Sequence, residues 1–346
     1  MKATVWILSR LKRAVLRANI SVVISAIVAA GLLAVVSRIA ANRGSATELW
    51  NVLQQTWVLV LVLTLPYLAA RALVWQELLR DLRIRVPLKH MAISFAGGEI
   101  TKTLPAGIYV QNYLLARLDN LGSGSTVRSS MATTAMLGLE TALALPIALI
   151  FGPPHEPWIF WTLIAVVILW IFVLFLAWML VHQWGPDFDQ RLPEWLRRTR
   201  VLAEEFLAAG GELIKLKTAK LLLPVSVYML IYVVDLYVII RAVGIHDITF
   251  TDAMGIYALI VLVVVLVPIP TEIGLTEFAG LGALLAYGVP RTEAAVIMLS
   301  LRIMATGATI LVSSLVLIVL RGELSRTVTP VSSQGGTEPS EIAKLT

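Results

Sequence analysis

The chain has 346 residues, 58% of them hydrophobic and 14% charged, a formal net charge of +6, and no cysteine. Soluble domains carry about 25% charged residues, so the composition excludes a water-soluble globular protein. The missing thiols exclude disulfides, thiolate metal sites and cysteine nucleophiles.

Residues 1–19 are a basic segment with five Lys or Arg, expected on the cytoplasmic side. The apolar stretch that follows is too long for a signal-peptide core and reads as a retained first span. About 20 apolar residues cross a bilayer as a helix. That length places full spans near 20–40, 57–79, 129–151, 158–182, 221–243 and 293–320. Two apolar regions do not fit. The region 91–118 is broken by "LPAG" around Pro105, and 251–288 is broken by "PIPTEIG", with Pro268, Pro270 and Gly274.

The basic residues orient this layout. Five Lys or Arg fall in 71–90, seven in 183–220 and three after Leu320, whereas "GPPHEP" and "GIHDITF" hold none. By the positive-inside rule both termini are cytoplasmic, as expected in a bacterial inner membrane. Parity then requires 91–118 to enter and leave on the cytoplasmic side and 251–288 on the outer side. The expected fold is an all-α polytopic membrane protein with about six full transmembrane helices and two re-entrant broken-helix hairpins in inverted orientation, an arrangement typical of transporters; a pair of tilted full spans in place of each hairpin would preserve the same parity. The whole of 20–320 reads as one transmembrane domain. Within it, 190–218 reads as a cytoplasmic interfacial helix, with Trp195, Leu202, Phe206, Leu213 and Leu216 sharing part of one face, or equally as a plain cytoplasmic helical connector. The polar tail 321–346 reads as disordered.

Charge inside a membrane is costly and therefore marks function. Arg302 lies ten residues beyond Thr292, about 15 Å deep at 1.5 Å per residue, in the middle of a hydrocarbon core about 30 Å thick. Glu140 and Asp235 fall well inside their spans. Glu99 and Lys102 lie in the first broken region, and Glu272 and Glu277 in the second. Such a set must form pairs, face a water-filled cavity or hold protonated carboxylates, and all three imply a polar internal chamber. The prolines at 268 and 270 release backbone groups tolerable at depth only against protein or water. A helix restarting near Thr276, with Thr276 as cap and Glu277 matching the dipole, would point its positive end into that cavity. Glu99 and Lys102, at i,i+3, also suit a local ion pair. Arg71 is expected to snorkel to the cytoplasmic headgroups. The histidines His90, His155, His182 and His246 are scattered near span ends and read as loop residues rather than a metal site.

The stretches "FAGGEITKTLPAG", "GLETALALPIAL" and "PIPTEIGLTEFAG…AAVIMLSLRI" together resemble the lysylphosphatidylglycerol synthase transmembrane-region family, the flippase-like membrane part of multiple peptide resistance factors. The matching positions are Gly98, Glu99, Leu104 and Pro105; Glu140; Pro268, Pro270, Gly274 and Glu277; and Arg302. Thr271-Glu272 stands where the family usually has glycine, and Glu140-Thr141 where it usually has an acidic-basic pair. The resemblance implies a flippase-like unit for aminoacylated phospholipid. Only residues 321–346 follow the last span, so the transferase domain that follows this unit in the two-domain relatives is not expected in this chain.

The expected function is therefore a lipid transporter or flippase rather than an enzyme. Glu99, Glu140, Asp235, Glu272 and Glu277 would suit a cationic or polyhydroxylated headgroup, and Lys102 and Arg302 its phosphate. No cofactor or metal is expected, and no G-x-x-x-x-G-K-[ST] motif supplies ATP. Expected partners are membrane lipids, with a homo-oligomer or a separately encoded lipid synthase beside them, and no nucleic acid. The alternative is an accessory subunit of such a lipid-modifying or glycosyl-transferring enzyme. A membrane-embedded lipid-modifying enzyme is the remaining reading.

Overall fold

The computed structural model describes residues 43–102, 107–119, 121, 123–153, 161, 164, 168, 172, 204–205, 207–213, 216–266 and 274–322. The expected spans at 20–40 and most of 158–182 lie outside these residues. So do the N-terminal 19 residues, Leu104, Pro105, Pro268, Pro270 and Glu272, most of the expected interfacial helix, and nearly all of the tail.

Every element among the described residues is helical. In chain order the α-helices are α1 (Arg43–Asp81), α2 (Leu88–Thr101), α3 (Val110–Leu118), α4 (Ser123–Phe151), α5 (Leu222–Ala242), α6 (Phe250–Leu266), α7 (Leu275–Ala286), α8 (Arg291–Leu301) and α9 (Gly307–Val319). A π-helical turn, Arg302–Thr306, joins α8 to α9 into one continuous rod. Four helical runs are long and apolar enough to cross a membrane: Ala46–Asp81, Gly124–Phe151, Ala219–Ala242 and Arg291–Val319. They coincide with four of the six spans read from the sequence. The first is longer than expected. α1 has 39 residues, about 58 Å at 1.5 Å per residue, because nothing between Arg43 and Asp81 stops it. Even Pro66 is accommodated inside the helix, as lipid-embedded helices permit.

The two broken regions form pairs of short helices. α2 has 14 residues and α3 nine, so at 1.5 Å per residue neither spans a core of about 30 Å. Their outer ends meet where His90 Nδ1 lies 2.8 Å from Asp119 Oδ1. The legs close because Gly98 has no side chain: a Cβ there would sit 2.6 Å from Gln111 Cβ, the close approach that small residues allow between membrane helices. Gln111 and Asn112 on α3 then donate to Thr133 Oγ1 on α4, at 2.9 and 3.0 Å, all three residues buried. This knot fixes the hairpin to the bundle.

In the second region, Thr249 starts α6: its backbone N–H and hydroxyl both donate to Asp252 Oδ2, at 2.8 and 2.6 Å. α7 is only 12 residues long. Its cap is Gly274 and not Thr276, which falls one residue inside the helix. Gly274 adopts φ +85°, a left-handed backbone angle that glycine takes without a Cβ penalty. Its N–H donates to Glu277 Oε2 at 2.6 Å. Glu277 thus holds the helix start from within the first turn, where a carboxylate also faces the positive dipole end.

The core runs along the contact of α1 with α5, where Val60, Val74, Trp75, Leu236, Ile239 and Ile240 are buried. The helical stretch 207–213 joins this core through Ala209 and Leu213, and Glu212 Oε2 pairs with Arg128 Nη2 of α4 at 2.7 Å. Leu213 therefore packs inward here, while Trp195, Leu202 and Phe206 of the expected apolar face lie outside the described residues. Large apolar side chains such as Leu223, Phe278, Ile318 and Val319 point outward, as suits lipid as solvent.

Candidate functional site

A cavity of about 120 Å³ lies where α1, α4, α5 and α6 meet the ends of α2 and α7 and the π turn. That is room for several water molecules. α1 contributes Thr64, Tyr67 and Arg71, α4 contributes Glu140, and α5 contributes Tyr232 and Asp235. Tyr257 comes from α6, Thr276 from α7, Lys102 from the end of α2, and Arg302 and Thr306 from the π turn.

The ion pairs have a definite order. Arg71 Nη1 donates to Glu99 Oε1 at 3.0 Å and to the Tyr67 hydroxyl at 3.1 Å, and its Nη2 lies 3.7 Å from Glu140 Oε1. The Tyr228 hydroxyl donates to the same Glu140 oxygen at 2.7 Å. Lys102 Nζ lies 2.7 Å from Glu99 Oε2. On the far wall Arg302 Nε lies 2.9 Å from Glu277 Oε1, the carboxylate that also caps α7. Arg71, Glu99 and Glu140 are each at most 9% exposed. A charge so buried is tolerated only when paired, and this network pairs them.

Tyr67, Tyr232 and Tyr257 line the same space, and Tyr228 packs beside Tyr67. Tyr67 meets Tyr228 edge-on at 5.9 Å, and Tyr232 stacks on Tyr257 at 4.9 Å. The Arg71 guanidinium lies 5.6 Å from the Tyr67 ring centre and 5.7 Å from that of Tyr228, within range of a cation–π attraction. The rings keep the cation apart from aliphatic surface, and their hydroxyls supply polar tips at depth.

Of the seven ionisable residues singled out from the sequence, Lys102, Glu140, Asp235 and Arg302 line the cavity. Glu99 and Glu277 stand one contact behind, each bound to a cation that does line it. Glu272 lies outside the described residues, as do the breaks at Pro105, Pro268 and Pro270, while Gly274 caps α7. The i,i+3 pair of Glu99 and Lys102 exists, and it extends through Arg71 to Glu140. Arg71 corrects the sequence reading. Instead of snorkelling it is 5% exposed and forms the hub of the network. Two carboxylates and the Tyr67 hydroxyl outbid the headgroups for it. The four tyrosines and the π turn were not read from the sequence. A signal was present in the spacing of Tyr67 and Arg71 at i,i+4, and of Tyr228, Tyr232 and Asp235 on one face of α5.

His90 pairs with Asp119 at the base of the first hairpin, and His246 lies beside Arg241 in the loop before α6. Among the described residues no three of His, Cys, Asp and Glu gather as a metal site would require.

The geometry can receive a group that carries both signs of charge, with phenols and threonine hydroxyls between them. A family model, described as the lysylphosphatidylglycerol synthase TM region, matches residues 20–313. No curated protein and no solved structure matches.

Proposed function

The chain belongs to the lysylphosphatidylglycerol synthase transmembrane-region family, and from that premise we propose that it is a lipid transporter of flippase type rather than an enzyme. The headgroup enters the charged cavity while the acyl chains stay in the bilayer. One observation carries this reading. The π turn has two faces: Arg302, Ala305 and Thr306 line the cavity, while Ile303 and Met304 line an apolar groove of about 510 Å³ beside Trp50, Trp57 and Leu61 of α1. Polar head and apolar chain thus find matched surfaces on opposite sides of a single turn. π-helical turns inside α-helices recur at functional sites because the extra residue re-aims side chains.

Within the cavity the carboxylates suit a cationic or hydroxylated headgroup, and Arg302 and Lys102 suit its phosphate. Arg302 Nη2 is buried and makes no hydrogen bond among the described residues, so a forked donor is open to a phosphate oxygen. The protein sits in a bacterial inner membrane with both termini cytoplasmic, and the paired short helices α2–α3 and α6–α7 are re-entrant from opposite leaflets. Their lengths and the contact of His90 with Asp119 support that arrangement.

Two measurements test this. A phospholipid with a fluorophore on one acyl chain should move between leaflets of liposomes holding the full chain, and not of protein-free liposomes. Equal rates in both would leave the accessory-subunit reading. For the hairpins, Ala106→Cys in this thiol-free chain should escape a membrane-impermeant thiol reagent added from the outer side. Full labelling from that side would mean two complete spans instead.

A further inference from the structure

Asp235 differs from every other carboxylate of the cavity. It is 4% exposed and lines the cavity, and its Oδ1 accepts no hydrogen bond. Among the described residues it forms no ion pair, whereas Glu140 and Glu277 each have one and Glu99 has two. The groups that share the cavity with it are Tyr67 and Arg71 from α1, Lys102 from α2, Glu140 from α4 and Tyr257 from α6. Arg302 lines the same cavity from the π turn, and Tyr232 lies one turn back on the helix of Asp235. The three cations among these are committed elsewhere: Arg71 to Glu99 and Glu140, Lys102 to Glu99, and Arg302 to Glu277. Among the described residues four carboxyls therefore meet three cations, and Asp235 is the one left over.

A buried carboxylate with no partner is not tolerated in a membrane interior. It takes up a proton or holds another cation. An alkali ion would bring a further positive charge into a cavity already lined by Arg71, Lys102 and Arg302 and would need a shell of oxygens. A proton neutralises the group without either requirement. We infer that Asp235 is a proton-exchange site of the cavity, at which a proton and the ammonium group of an entering lipid compete for one carboxylate. This rests on the transport reading given above. The step balances simply. The Asp235 carboxyl releases its proton to cavity water as the ammonium arrives, and the carboxylate pairs with that ammonium. When the lipid leaves, the carboxyl takes one proton back from the side to which the cavity then faces. One lipid is thereby linked to one proton moving the opposite way.

The experiment joins infrared spectroscopy to lipid flux on the full chain in liposomes. Wild type should show a protonated-carboxyl stretch that titrates reversibly with pH. Glu140→Gln should keep that band, Asp235→Glu should move it and Asp235→Asn should lose it. Translocation of an acyl-labelled phosphatidylethanolamine by wild type should change with pH, by at most about tenfold per unit for a single proton. Whatever rate Asp235→Asn retains should not follow pH. Retention of the band or of the pH dependence in Asp235→Asn would overturn the inference, as would a wild-type rate that follows sodium concentration. A titrating band lost in Asp235→Asn from a protein that moves no lipid would leave the proton site standing and remove the transport reading. Lipid flux without such a band would do the reverse.

Discussion

Arg302→Ala is expected to abolish lipid translocation and to lower stability together, and a second variant separates the two effects. Arg302 Nε pairs with Glu277 Oε1 at 2.9 Å, the two side chains being 16% and 13% exposed. Removing one member of a buried pair leaves the other charge uncompensated, at about 3–5 kcal/mol; partial exposure puts this pair toward the lower figure. Glu277 would keep its bond to the Gly274 N–H, so the start of α7 should survive. Arg302→Met combined with Glu277→Gln removes both charges at nearly constant volume and should recover most of the lost thermal stability in detergent. Translocation should not return. The charge-assisted bonds from the guanidinium to a phosphate, about 1.5–3 kcal/mol, correspond to roughly ten- to hundredfold in headgroup affinity. A double variant that moves lipid like wild type would make Arg302 a strut of α7 and no more.

Arg71→Ala should cost more stability than Arg302→Ala. Arg71 serves three partners at once: Glu99, Glu140 and the Tyr67 hydroxyl. Its loss leaves Glu140 with only the Tyr228 hydroxyl and Glu99 with only Lys102 among the described residues. Both carboxylates are at most 9% exposed, so the full range of about 3–5 kcal/mol applies. Arg71→Lys should rescue part of this, since one ammonium restores charge without reaching two carboxylates and a phenol in fixed directions. Adding Glu140→Gln to Arg71→Ala should also recover stability, and the size of that recovery measures their coupling. Thermal unfolding of purified detergent-solubilised protein reads all three. Equal stability of Arg71→Ala and wild type would mean that the hub carries no net structural weight.

Much of the helical layout is legible in the sequence because lipid enforces it. Unbroken apolar runs near 57–79, 129–151, 221–243 and 293–320 must be helices, since no other single segment satisfies its own backbone. The interruptions were legible for the same reason: short legs such as α2 and α7 end where prolines and polar residues stand. Arg302 and Glu140 were legible through depth alone. Arg71 was not. It lies eight residues before the expected end of its span at Leu79, close enough for a flexible arginine to reach the headgroups. The helix in fact runs on to Asp81, and Glu99 and Glu140 come to meet the guanidinium from other helices. Nothing local to residues 57–79 encodes that meeting. A tyrosine in an apolar run reads as core; only the convergence of α1, α5 and α6 turns Tyr67, Tyr232 and Tyr257 into cavity wall and sets Tyr228 behind them on Glu140. The π turn at Arg302–Thr306 lacks proline or any other mark in the sequence, yet it gives the last span its two faces.

The most direct measurement asks whether lipid passes through the cavity itself. Ala305 lines it from the π turn, and Ala305→Trp fills the space while leaving every member of the ion pairs in the chain. Liposomes are loaded with acyl-labelled phospholipid in both leaflets and then exposed to an impermeant reductant. Wild type should bleach nearly all the label. Ala305→Trp, with its unfolding temperature retained, should bleach only the outer half, as protein-free liposomes do. Bleaching by Ala305→Trp at the wild-type rate would contradict a headgroup path through this cavity.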